Sequence, residues 1–201
     1  MENKVSSLSH TDSPERELII EYVSKAFGGS PQLDYYGDKN EELKVEILFS
    51  RGRPMNGITS FSTIGLSGHA MPWGNGEFPT RLELAAVCVN EEEKFANVLA
   101  SAAFCIMRSN LVYHPGTLMQ GYVSLVFPNS LLPHLYLTTQ FLWGDSLRTL
   151  DVITRKVSWL LAIPIAESER IFLETHGREA FESALENERV DVSDLGRDPI
   201  A

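Results

Sequence analysis

The chain has 201 residues, 43% apolar and 22% charged, the make-up of an ordinary globular protein long enough to bury its own core. Acidic residues outnumber basic ones 27 to 17, a net charge of −10 that opposes binding to nucleic acid or to anionic membranes. No apolar run approaches the ~18–20 residues that cross a bilayer, and residues 1–7 lack the apolar core of a signal peptide.

Residues 1–12 are polar and are expected to form a disordered tail, leaving 13–201 as one domain. Ser13-Pro14-Glu15 reads as a helix start, with a capping hydroxyl, proline in the first turn and early acids. Leu18, Ile19, Tyr22, Val23, Ala26 and Phe27 continue it as an apolar stripe at helical spacing, ended by Gly28-Gly29. Strands are predicted over 32–36 and 43–50, then a turn over 51–57 rich in Gly, Pro and Asn, then a strand over 58–66. A long Gly/Pro loop over 67–79 carries Trp73, and a strand follows over 81–89. The strongest helix runs from Glu91 to about Asn110. Asn90 serves as its cap, Glu91, Glu92 and Glu93 complement its dipole, and Phe95, Val98, Leu99, Ala102, Ala103 and Ile106 share one face. Further strands are predicted over 122–127, 135–141 and 156–163, and helices over 167–176 and 178–188 separated by Gly177. Strands interrupted by a few helices, without a regular strand–helix alternation, predict an α+β fold. Cys88 and Cys105 lie in apolar stretches without CxxC spacing and read as reduced core thiols, which predicts a cytoplasmic protein.

Chemistry leaves little trace in the sequence. Gly65-Leu66-Ser67-Gly68-His69 approaches the nucleophile elbow Gly-x-Ser-x-Gly, but His69 stands where the last glycine belongs. Pro72, Gly74 and Gly76 then exclude the helix that an elbow must feed. The five histidines (His10, His69, His114, His134 and His176) have no spacing that makes a local metal clamp. Arg51 and Arg53 are too few for a nucleic-acid patch. The acids are plentiful, but most lie in helical stretches whose opposite faces are apolar, as solvated surface charges do. No metal site, cofactor or catalytic residue is predicted, and the balance favours a protein that binds.

Five segments carry a resemblance to a known family. They are Ser60-Phe61-Ser62-Thr63-Ile64-Gly65-Leu66-Ser67-Gly68-His69, Leu99-Ala100-Ser101-Ala102-Ala103-Phe104, His114-Pro115-Gly116, Phe141-Leu142-Trp143 and Trp159-Leu160-Leu161-Ala162-Ile163-Pro164-Ile165. In this order the chain resembles the suppressor-of-fused-like proteins, most closely their bacterial immunity (antitoxin) branch, over nearly its whole length. The resemblance implies a single α+β domain with a mixed central sheet flanked by helices, without cofactor or catalytic residues. It marks Ser62, Thr63, Gly65, His69, Pro115 and Gly116 as family-motif positions with a structural role. Where the family pattern often reads Ser-Asp-His, this chain has Ser67-Gly68-His69, so no acid is placed to orient the histidine.

The function implied is that of a cytoplasmic immunity protein that binds and neutralises a cognate toxin, a basic nuclease domain of a polymorphic or contact-dependent system. From Glu167 to the end of the chain ten acids face four bases. This excess serves either solubility or a recruited binding face. The expected toxin-binding residues are Glu179, Glu182, Glu186, Glu188, Asp191 and Asp194, with Trp73 from the long loop. Ala180, Phe181, Ala184 and Leu185 are free to pack inward behind them. A second reading is an adaptor that grips an extended peptide of a regulatory partner by β-strand addition. A third, a small hydrolase, needs His69 or His114 gathered with a carboxylate.

Overall fold

A computed structural model describes residues 13–89 and 92–200. The tail expected over residues 1–12, the Asn90 cap and the first-turn charge of Glu91 lie outside the described residues. In chain order the elements are α1 (Pro14–Phe27), β1 (Gln32–Gly37), β2 (Lys44–Arg51), β3 (Ile58–Ile64), β4 (Pro72–Trp73), β5 (Gly76–Glu77), β6 (Thr80–Val89), α2 (Glu92–Arg108), β7 (Thr117–Met119), β8 (His134–Thr139), β9 (Leu150–Asp151), β10 (Lys156–Ile165) and α3 (Glu167–Asn187). The main sheet runs β1-β2-β3-β6-β10-β8-β7, with β9 also on β10, while β4 and β5 form a separate hairpin. Only β6 and β10 run parallel; the other pairs are antiparallel, so the sheet is mixed as predicted.

Strand periodicity builds two cores. On β6, Leu82, Leu84, Ala86 and Cys88 face α2, whereas Ala85 and Val87 face α1 and α3. On β10, Leu160 and Ala162 join the α2 side, while Trp159, Leu161, Ile163 and Ile165 join the other. A strand sandwiched between helices on both faces must be apolar at nearly every position, which is why these two read as continuous apolar runs. The predicted face of α2 is the buried one: Phe95, Val98, Leu99, Ala102, Ala103 and Ile106 are all inaccessible. Ser13 caps α1 by accepting from the Arg16 amide at 3.1 Å, and Pro14 occupies its first turn. Ile19, Val23 and Phe27 point inward as expected, but Leu18 is exposed. Glu15 is buried instead, accepting from the amide and hydroxyl of Thr154, each at 2.7 Å, and pairing with Arg155.

One predicted strand is replaced. Residues 122–127 form hydrogen-bonded turns, not a strand, with the Val123 and Ser124 amides both donating to the Pro133 carbonyl. Gly121 sits at φ 77 and the Ser124 hydroxyl donates back to its carbonyl at 2.8 Å, so local turn chemistry overrides the apolar run. The edge position beside β8 goes to the short β7. The strand predicted over 135–141 begins at His134 and stops at Thr139. Beyond it, the Gln140 side chain donates to the Gly144 and Leu147 carbonyls and fixes a turn. The last two predicted helices form one run, α3, broken by non-helical Gly177 at φ 81.

Candidate functional site

The motif over residues 60–69 turns out to be a buried polar lock. Thr63 donates from its hydroxyl to Glu83 Oε2 at 2.5 Å and accepts from the Leu84 amide at 2.8 Å. The Gly65 and Ser67 amides donate to Glu83 Oε1 at 2.9 and 3.0 Å. Gly65 lies at φ 105, a left-handed conformation that a side chain resists, and this bend brings both amides onto the carboxylate. Ser62 accepts from Trp159 Nε1 at 3.0 Å, which joins two motif segments far apart in sequence. Glu83 is wholly enclosed; burial pushes its carboxyl above the ordinary range, and the bonds from Thr63, Ser67 and Gly65 pull the other way. The sequence reading missed Glu83, although one acid inside Leu82-Glu83-Leu84-Ala85-Ala86-Val87 is itself a signal of a satisfied buried carboxylate.

The second motif secures α3. The Gly116 amide donates to the Leu137 carbonyl at 2.7 Å, and Gly116 lies at φ 101. A Cβ there would stand 3.1 Å from Cδ of Arg178, whose Nη1 donates to the Pro115 carbonyl at 3.2 Å. His114 Nδ1 lies 2.9 Å from that same carbonyl, and the His69 ring makes no hydrogen bond among the described residues. Neither imidazole meets a carboxylate, and among the described residues no group of His, Cys, Asp and Glu could hold a metal ion. No described helix is long and apolar enough to cross a membrane.

The six acids expected to form one binding face take up different environments. Glu179, Glu186 and Glu188 are exposed on or just after the second half of α3, without ion pairs among the described residues. Phe181 and Leu185 are buried behind them, as the helical spacing predicts. Glu182 is half-buried and accepts at Oε1 from Tyr136 Oη at 3.0 Å, from the Thr138 hydroxyl, and from Arg178 Nε at 3.0 Å. Burial would raise its carboxyl, but the bonds from Thr138, Arg178 and Tyr136 hold it below the ordinary range. The same contact, together with burial, raises the Tyr136 phenol. Asp191 accepts from both the amide and hydroxyl of Ser193, and Asp194 from the Gly196 amide, so both also shape turns in the carboxyl-terminal segment. Trp73, 60% exposed, stands on the β4–β5 hairpin with its ring edge-on to Phe78 at 5.4 Å.

Beside Glu182 a groove of about 480 Å³ opens between the end of β8 and the second half of α3. Phe141, Leu185, Val190 and Val192 give it apolar walls, and Glu182, Glu186, Arg178 and Arg189 bring charge to it. Sequence reasoning placed two of these acids on a helix face, but the facing wall from β8 and the 190–192 segment has no local signal.

The family model for suppressor of fused protein (SUFU) matches residues 41–198. Immunity protein YqcF of Bacillus subtilis is 33% identical over 92% of this chain and 97% of its own length. A SUFU homologue from Neisseria gonorrhoeae superposes with a TM-score of 0.71 at 16% identity, covering 93% of this chain and 97% of that one. The Sufu–Fu complex gives 0.62 at 14% identity over 93% and 92% of the two chains. Drosophila Suppressor of Fused gives 0.65 at 13% identity, over 93% of this chain and 51% of that one. Sequence and fold agree across the sheet and its three helices, and the chain belongs to the suppressor of fused family.

Proposed function

We propose that this chain is an immunity protein that binds a cognate nuclease toxin in the cytoplasm and neutralises it. The observation that carries the reading is the near end-to-end match, 33% identical, to a protein named for immunity. Charge supports the choice of partner. A nuclease presents a positive groove to phosphates, and a chain of net charge −10 with Glu179, Glu186 and Glu188 exposed together complements it. Glu182, Asp191, Asp194 and Trp73 extend that surface in this reading. The chain then needs no cofactor and performs no reaction: it acts by occupying the toxin.

Co-expression with the toxin domain encoded beside this chain, followed by pull-down and nuclease assay, tests the reading. A stable complex with lost nuclease activity is expected; nuclease activity unchanged at excess immunity chain overturns it. The adaptor alternative has edge strands β1 and β7 to offer an extended peptide. It predicts binding to a linear peptide with little dependence on salt, whereas the immunity reading predicts a folded basic domain and a strong dependence.

A further inference from the structure

Glu182 is held asymmetrically. Tyr136, Thr138 and Arg178 all donate to Oε1, and Oε2 has no partner among the described residues. Three donors from two elements fix the side chain, so its free oxygen is presented without the rotamer freedom of a surface glutamate. That carboxylate, 31% exposed, lines the groove beside Phe141, Leu185, Val190 and Val192. Phe141 is 57% exposed, so one wall of the groove is an aromatic surface with nothing packed over it.

The two cations of the groove differ in what they leave open. Arg178 is engaged twice, by Nε on Glu182 and by Nη1 on the Pro115 carbonyl. Arg189 is exposed, makes no side-chain bond among the described residues, and sits just past the carboxyl-terminal end of α3. Glu186 makes no side-chain bond among the described residues either. The groove therefore offers a fixed carboxylate oxygen, a second acid, apolar walls and one exposed competing cation.

We infer that this groove receives one long cationic side chain, arginine or lysine, projecting from the folded partner. Its alkyl stem lies along Phe141, Leu185, Val190 and Val192, and its charged head meets Glu182 Oε2, with Glu186 beside it. Apolar walls suit the stem of such a residue as well as the fixed charge suits its head. The held carboxylate, fixed by its three donors, needs no ordering at the moment of binding. Arg189 acts against the incoming charge. The partner's identity rests on the immunity reading, but the chemistry of the groove does not.

Two measurements separate these. In the first, the full chain is titrated with ethylguanidinium chloride, the end of an arginine side chain, against sodium chloride at equal ionic strength, and backbone amide shifts are followed by NMR. Shifts concentrated at Thr138, Glu182 and Glu186, absent in Glu182→Gln, are expected; even shifts across the surface, or shifts retained in the variant, overturn the inference. In the second, the neighbouring toxin domain is titrated with the wild-type chain and with variants whose melting shows them folded. Glu182→Gln is expected to weaken the complex about ten- to a hundredfold, mostly through faster dissociation. Arg189→Ala, which removes the exposed cation from the groove, is expected to tighten it about two- to fivefold. Wild-type affinity in Glu182→Gln overturns the groove and leaves immunity standing. Failure of the wild-type chain to bind or protect overturns immunity, and the ethylguanidinium titration still decides the groove.

Discussion

Glu169 and Glu182 stand on the two halves of α3 and spend their oxygens differently. Glu169 is fully enclosed: Arg197 grips both its oxygens, at 2.7 and 2.9 Å, and the Ala166 and Ile200 amides donate at 2.8 and 3.2 Å. Arg197 also donates to the Pro164 carbonyl at 3.1 Å, so this pair ties the carboxyl-terminal segment to β10 and α3. Glu182 has all three donors on one oxygen and the other open to a groove. A carboxylate satisfied on both sides holds structure together, because nothing is left to bind. One satisfied on a single side is positioned by the fold and still has an acceptor to offer. Residue type and helical setting are the same; the number of engaged oxygens tells the two roles apart.

The contrast breaks most visibly at the enclosed end. Arg197→Met leaves a buried charge without its partner and is expected to cost about 3–5 kcal/mol, read as a fall in melting temperature. Exchanging both members for apolar residues should recover most of that loss, since the pair must first repay its own desolvation. Gly116→Ala comes next, at about 1–2 kcal/mol, because its φ of 101 disfavours any Cβ. The added methyl also meets Arg178, so partner binding should weaken together with stability if Arg178 positions Glu182. Glu182→Gln keeps the shape and an acceptor, and should cost only about 1 kcal/mol in chemical denaturation while it removes the one fixed negative charge of the groove.

Glu83 sharpens the comparison through pH. Its folded pKa lies above the ordinary 4.5, so the folded chain holds this proton more tightly than the unfolded one. Its contribution is therefore full at acid pH and is lost as pH rises through the folded value. Glu83→Gln should remove that decline, which sets in above the ordinary carboxylate value, from the stability profile measured by urea denaturation at each pH. Glu182 has the opposite sign: its pKa is lowered, so its contribution is present above the ordinary carboxylate range and fades as pH falls. The smallest effect on stability belongs to the exposed acids. Glu179→Lys, Glu186→Lys and Glu188→Lys together should each shift stability by no more than about 0.5 kcal/mol. The same triple reversal should slow toxin association about tenfold or more at low salt and flatten its salt dependence. An unchanged on-rate removes the exposed acids from the binding face.

The sequence by itself determined the helical stretches, the break at Gly177, the long strands and the α+β class, because caps, glycines and the 3.6- and 2-residue apolar periods are local. It also located the Ser62–Gly65 and Pro115–Gly116 motifs, but not what they hold. Only the tertiary structure decided that residues 122–127 turn while 117–119 pair with β8, since an apolar run takes either form until a neighbouring strand supplies its hydrogen bonds. The burial of Glu83, the grip of Arg197 on Glu169 and the one open oxygen of Glu182 were likewise decided by residues distant in the chain. Arg178 and the Ala166 amide lie within a turn of their carboxylates, but the remaining donors meet them only after strands and helices have packed, and no short window of sequence contains those partners.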